Sequence, residues 1–430
     1  MSLDRLDSLF RLEKLGIKFG LDNIRTLCRA LGSPETAFQS ILIAGTNGKG
    51  SVTAMVEHAL RSADMRSARY TSPHLVRLEE RFVIDGAPVG ADALQDAADH
   101  VQSIVSYLID KKELAGHPTF FEVTTAMAFE LFRRQHVEVA VLEVGLGGRL
   151  DSTNVVTPVA AAITSIDLDH QALLGSTIAE IAYEKAGIVK PDIPVVLGET
   201  KPEAVDVITR VCGERRAHLI HATVGVDIRT TLREDGRTLL ELTTPVRSYP
   251  QTTVSLRGRH QVANAVTAVR LLETLPWNVP ETAVIAGIRD VVWPGRLDLI
   301  EVAPDRAVLL DSAHNPAGAA ALAEFLAETE RRPLPIVFAV MRDKDAAGML
   351  TALAPHASAF VITAPRMARA SSVAELAAVA ARAVHGVPVH TALDPAEALA
   401  KAWQLAPLIC AAGSIFLIGE ILDLVAHGAL

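Results

Sequence analysis

The chain has 430 residues, half of them hydrophobic, and a net charge of −9. That length and apolar content predict two or three domains with large cores, and an acidic chain with no long Lys/Arg run argues against nucleic acid as a principal partner. Cys28, Cys212 and Cys410 stand far apart in no metal or redox spacing, which points to buried thiols in a reducing, cytoplasmic setting.

The start, Met1-Ser2-Leu3-Asp4-Arg5, is amphipathic and charged, so no secretory signal is expected. A first strand is predicted over 41–45 and a helix over 51–64, with Val52, Met55, Val56, Ala59 and Leu60 on one face. Between them runs Gly45-Thr46-Asn47-Gly48-Lys49-Gly50-Ser51. Strand, glycine loop and helix together hold a polyphosphate. Backbone N–H groups close on it, the helix start adds positive potential, and Lys49 adds a full charge. The match to the general phosphate loop is imperfect. That pattern has a glycine six positions before the lysine and a hydroxyl directly after it. Here Ile43 and Gly50 occupy those places, and the hydroxyl slips to Ser51.

Further strands are predicted over 137–144, 158–166, 193–198, 307–311, 334–340, 358–363 and 414–418. Helices are predicted over 91–112, 122–134, 177–188, 260–275, 316–329, 372–384 and 395–404. Such alternation defines an α/β chain, with mostly parallel sheets covered by helices on both faces. Residues 220–256 differ and read as antiparallel strands around an Asp235-Gly236 turn. Trp293-Pro294-Gly295-Arg296 is the expected boundary, giving domains 1–293 and 297–430 about a hinge at 294–296. The uncharged run from Ala402 to Gly419 is broken by Pro407 and Gly413, and fits a buried strand between loops better than a membrane span.

Several polar residues follow apolar strands, where ligands sit in open α/β sheets. Glu143 precedes Gly145, Gly147 and Gly148; it either holds magnesium opposite the phosphate loop or is a solvated residue in a glycine-rich connection. Asp169-His170 follows the next strand, within reach of a metal or phosphate, or is merely exposed. Asp311 is placed to bond a ribose hydroxyl, although His314-Asn315-Pro316 also reads as a turn that opens a helix. Arg296, at the hinge, could reach across a cleft to phosphates. Asn264 is a cap or a polar surface residue, and Ser72 an ordinary turn serine. Lys185 reads as a helix lysine beside a C-cap glycine, and pattern alone does not select it.

In chain order these segments resemble the folylpolyglutamate synthase/dihydrofolate synthase family within the Mur-type ATP-dependent ligases. The matching stretches are Gly45 to Ser51, Ser72-Pro73-His74-Leu75 with Glu80-Arg81, Phe120-Phe121-Glu122, and Glu143 to Asn154. Asp169-His170 with Leu174-Gly175, Glu184 to Ile188, Pro294-Gly295-Arg296 and Asp311 to Pro316 complete the set. The resemblance implies a P-loop-containing, mostly parallel sheet domain followed by a smaller Rossmann-like α/β domain that ligates glutamate. It implies ATP as co-substrate, Mg²⁺ as cofactor, and a reaction in which a pterin-bearing carboxylate becomes an acyl phosphate that L-glutamate attacks. Dihydropteroate and reduced folates are the expected acceptors.

By the same resemblance Thr46, Asn47, Gly48, Lys49, Gly50, Ser51, Asn264, Arg296 and Asp311 hold ATP. Ser72, Glu143, His170 and Lys185, the last as a carbamate, are the implied metal ligands. Lys49, Lys185 and His314 are the implied catalytic residues; Phe121, Glu122 and Asp151 are on the pterin side, with the segment Gly20 to Ile24. A cytoplasmic monomer is expected. Two departures stand out. Ser312 replaces a frequent family glycine, and Ile415-Phe416 stand where some bacterial relatives have a histidine. A synthase restricted to polyglutamate tails, a nucleotide-dependent switch or motor, and a cell-wall precursor ligase are the competing readings.

Overall fold

Adjacent apolar strands dominate the computed structural model, which describes Leu9, Leu12 and residues 20–114, 116–329 and 333–429. The charged start at Met1 to Arg5 lies outside the described residues. The larger sheet has eight strands, ordered Ala87–Pro88, Phe82–Ile84, Ser67–Tyr70, Val139–Glu143, Gln39–Ala44, Ala160–Ile163, Pro194–Leu197 and His218–His221. Its pairings are parallel except at the hairpin edge formed by the first three. Both faces of the central strand are buried. Ile41 and Ile43 meet Val52, Met55 and Val56 of the helix Lys49–Ser62, while Leu42 and Ala44 join the cluster containing Val123 and Met127 on Phe120–Arg134. Burial on two faces explains why the strand reads as an unbroken apolar run.

Asp227–Leu232, Thr238–Thr243 and Ser248–Val254 form a separate antiparallel sheet, as expected. Its first turn carries Gly236 at φ 77°. His218–His221, partly inside the stretch expected to be antiparallel, instead extends the large sheet in parallel.

The second domain's six-stranded sheet runs Asp298–Ala303, Arg306–Leu310, Leu408–Ala412, Leu334–Phe338, Ala357–Ile362 and Val389–Thr391, parallel but for the first strand. One prediction is corrected here. Residues 414–418 are not a strand: the strand is Leu408–Ala412, and Ile415–Ala426 is a helix. Gly413, at φ 109°, turns the chain out of the sheet. Ser414 then caps the helix, its Oγ accepting from Phe416 N at 3.2 Å. Leu417, Ile418 and Ile421 cover the sheet at helical spacing. Charge-free sequence could not separate the central strand from the helix that follows it.

Among the described residues, no helix is long and apolar enough to cross a membrane.

Candidate functional site

The strand Gln39–Ala44 lies between Val139–Glu143 and Ala160–Ile163, with Ile43 opposite Glu143 and Ala44 opposite Ile163. All three run parallel, so their carboxyl ends share one edge. Chain order also reverses there, which is where open α/β sheets bind ligands. The loop leaving the central strand is stapled down. Thr46 N donates to Ser165 O at 2.6 Å, and Thr164 Oγ1 donates to Asn47 O at 2.7 Å. Gly48, at φ 87°, opens the helix. A Cβ on Gly48 would stand 2.3 Å from Asn264 Oδ1. Asn264 is buried inside the helix Arg259–Leu272, so it is neither cap nor surface residue.

Two lysines converge on this loop. Lys49 Nζ donates to Gly45 O and Thr46 O, both at 3.1 Å, and Lys185 Nζ donates to Gly45 O at 2.7 Å. Burial and the Lys49 charge hold the Lys185 amine well below the usual lysine range. Burial also lowers Lys49, while Glu143 opposes the shift. Glu143 is itself buried, which raises its carboxyl despite Lys49 nearby. Its Oε2 accepts from Ser72 N at 3.1 Å, so the loop after Ser67–Tyr70 is seated on the end of the neighbouring strand.

The second domain closes the cleft from the other side. Asp311, Ser312, Ala313, His314 and Asn315 follow the strand Arg306–Leu310. Asp311 Oδ2 accepts from Leu297 N at 3.0 Å, and burial raises its carboxyl. Asn315 Nδ2 donates to Asn47 Oδ1 at 3.0 Å and to Asp169 Oδ2 at 3.1 Å. His314 Nδ1 lies 2.9 Å from Ser312 O, which makes that nitrogen the N–H donor and leaves Nε2 as an acceptor. Burial and the Lys344 charge lower this imidazole to about 4, so it is neutral at pH 7.

One cleft is lined by the whole loop from Gly45 to Ser51 together with Ser72, Glu143, His170, Lys185 and Asn264, and by Arg296, Asp311 and His314 from the hinge and the second domain. Phe121 and Asp151 sit behind its second glycine loop, and Glu122 follows Phe121 in the first turn of the helix Phe120–Arg134. Glu122 Oε2 accepts from Thr119 N at 2.7 Å as a helix cap, and Asp151 Oδ2 accepts from Leu146 N at 2.9 Å. A Cβ on Gly145 would lie 2.5 Å from the ring of Phe121.

Sequence reasoning did not select Lys344 or His260. Lys344 Nζ lies 2.5 Å from Asp169 Oδ1 and 3.2 Å from His170 Nε2. His260 lines the cleft and is lowered to about 4 by burial and Arg296. The signal for Lys344 was present: Asp343-Lys344-Asp345 follows an apolar strand, as Glu143 and Asp311 do.

Among the described residues no three His, Cys, Asp or Glu side chains gather around one metal-sized point. Magnesium does not need such a cage, because it takes one or two carboxylates and completes its shell with phosphates and water. A buried carboxylate beside a serine at the mouth of a phosphate loop fits that requirement.

Fold and cleft together define the architecture of a Mur-type ligase. Residues 91–272 match the family described as Mur ligase middle domain, and residues 295–417 match Mur ligase, glutamate ligase domain. The dihydrofolate synthase/folylpolyglutamate synthase of Mycobacterium tuberculosis is 37% identical over 428 residues, covering 94% of this chain and 87% of that protein. The probable bifunctional folylpolyglutamate synthase/dihydropteroate synthase of Haloferax volcanii is 34% identical, covering 97% of this chain; the chain spans about half of that relative's length, 50%. The solved structure of Mycobacterium tuberculosis folylpolyglutamate synthase complexed with ADP and AMPPCP matches with a TM-score of 0.90 at 35% identity, covering 98% of this chain and 99% of that one. The chain belongs to the folylpolyglutamate synthase/dihydrofolate synthase family.

Proposed function

We propose that this chain is an ATP-dependent ligase that joins L-glutamate to dihydropteroate and to reduced folates. The observation that carries this reading is the meeting of Lys49, Glu143, Lys185, Arg296 and His314 in one cleft between the two sheets. The related Mycobacterium tuberculosis enzyme, solved with ADP and AMPPCP, supports a nucleotide in that cleft.

A carboxylate is a poor electrophile. Transfer of the γ-phosphoryl group of ATP turns it into an acyl phosphate; the amino group of glutamate attacks, an amide forms and phosphate leaves. The difficulty is repulsion between anions, and the cleft answers it with cations and backbone N–H groups. Lys49 and the amides of its loop hold the phosphates, Arg296 approaches from the hinge, and Asn264 and Asp311 contact the rest of the nucleotide. Glu143 and Ser72 would hold Mg²⁺, which supplies charge neutralisation on the transferring phosphoryl group when bound. His170 would join them only after releasing Lys344, which now occupies its Nε2. The neutral His314 offers Nε2 to the incoming ammonium, which must lose a proton before it attacks. Lys185 has the depressed basicity that lets an amine add CO₂ with loss of a proton, giving a carbamate that could serve as a further oxygen ligand. Phe121 and Asp151 shape the pterin side by bracing the loop at Gly145 and Leu146, and Glu122 fixes the start of the helix that carries Phe121.

The same reading divides the chain at 294–296 and makes it a cytoplasmic monomer. The test supplies ATP, Mg²⁺ and L-glutamate with either dihydropteroate or tetrahydrofolate, and follows products by mass spectrometry. Amide products from both acceptors are expected. A product from tetrahydrofolate alone would reduce the enzyme to tail extension. ATP hydrolysis without any amide would sink the ligase reading and favour a switch.

A further inference from the structure

The residue after Lys49 is glycine, and the structure shows what that glycine makes room for. A Cβ on Gly50 would stand 2.8 Å from Trp293 Cζ2, 3.1 Å from Cε2 and 3.2 Å from Nε1. The indole therefore lies directly against the first turn of the phosphate-loop helix. Its ring also carries the Arg69 guanidinium, whose Cζ is 5.4 Å from the ring centroid. Arg69 is fixed in turn: its Nη1 donates to Glu57 Oε2 at 2.7 Å. Glu57 is fully buried on the same helix as Gly50 and also accepts from Ser67 Oγ at 2.9 Å. Helix, strand and indole thus form a closed brace.

Just beyond Trp293 the chain is anchored to the other domain. Ser312 N donates to Gly295 O at 2.9 Å, and Leu297 N donates to Asp311 Oδ2 at 3.0 Å. Arg296, between these anchors, lines the cleft. We propose that Trp293 is a positioning residue that couples the interdomain junction to the phosphate loop, so that nucleotide at the loop and the placement of Arg296 are set together. The coupling rests on the proposed nucleotide site. It also accounts for the glycine where other phosphate loops carry a hydroxyl, since any side chain there would displace the indole.

Two experiments test it. ADP affinity is measured by calorimetry for wild type, Gly50→Ala, Trp293→Leu, Trp293→Phe and the Gly50→Ala/Trp293→Leu double variant, with circular dichroism to check folding. Each of Gly50→Ala and Trp293→Leu is expected to weaken ADP about tenfold, the size of one coupled contact. The double variant is expected to bind better than the product of the two losses, because the clash vanishes with the ring, and Trp293→Phe to recover most of the affinity. Independently, Trp277 and Trp403 are replaced by phenylalanine and the emission of Trp293 is followed; ADP should shift it. Strictly multiplicative losses, or unchanged Trp293 emission while calorimetry reports ADP bound, would overturn the coupling. No ADP binding by wild type would instead remove the nucleotide site on which it rests.

Discussion

Lys344 and Asp169 come from different domains and meet across the cleft, Nζ to Oδ1 at 2.5 Å, with both side chains nearly buried. Burial alone would raise the Asp169 carboxyl; Lys344, His170 and His314 outweigh it and hold the group well below the usual carboxylate range. The pair therefore stabilises the folded chain above the ordinary carboxylate pKa of about 3.9, and that contribution is lost as pH falls towards the depressed value. Lys344→Met leaves a buried carboxylate with less compensation, a change that costs about 3–5 kcal/mol when a buried pair is broken. Acid unfolding followed by circular dichroism should begin at higher pH in this variant. An unchanged acid limb would show that the pair contributes nothing to stability.

Lys185 is expected to trade stability for function. Its ammonium is disfavoured by burial and by Lys49, so the unfolded chain binds more protons than the folded one below the ordinary lysine pKa of about 10.4. Stability should rise with pH through the window that ends there. Lys185→Met should flatten that slope and melt higher at pH 7, while losing nearly all turnover. Lys185→Ala should lose turnover as well and regain part of it with added acetate or formate. Near-wild-type activity in Lys185→Ala would take the residue out of the mechanism.

How legible these residues are depends on where they sit. Glu143 and Asp311 could be read because an acidic residue ending an apolar strand is a local pattern. The phosphate loop could be read because glycine spacing beside one lysine has few other uses. Lys185 and Ser72 carry no local signal; their roles depend on elements brought together from Gly45 and Glu143, and only the family resemblance pointed to them. Lys344 has a local signal in the charged run after an apolar strand, but its partner Asp169 lies in the other domain, and that pairing is in no window of sequence.

Glu143→Gln should separate charge from shape at the phosphate loop. The substitution keeps the Ser72 N contact but removes the negative charge beside Lys49. Turnover should fall on the order of 10²-fold or more, as when one preorganised electrostatic group is lost, and the Mg²⁺ concentration for half-maximal rate should rise. Because burial raises the Glu143 carboxyl, wild-type activity should decline on the acid side at a higher pH than exposed carboxylates titrate. A Mg²⁺ dependence identical to wild type would separate Glu143 from the metal.

The last helix, Ile415–Ala426, supplies the remaining test. A Cβ on Gly419 would stand 1.9 Å from the Leu75 carbonyl oxygen and 2.8 Å from its carbon, both backbone atoms that cannot swing aside. Gly419 thus sets how closely the loop from Ser72 to Leu75 approaches the second domain, and Ser72 N is held by Glu143 at the other end of that loop. Gly419→Ala should destabilise by about 1–3 kcal/mol, the usual cost of overpacking. If the loop presents Ser72 to the metal, the Mg²⁺ requirement should also rise at temperatures where the variant remains folded. Lower stability with an unchanged Mg²⁺ requirement would confine Gly419 to packing and leave the Ser72 position to Glu143 alone.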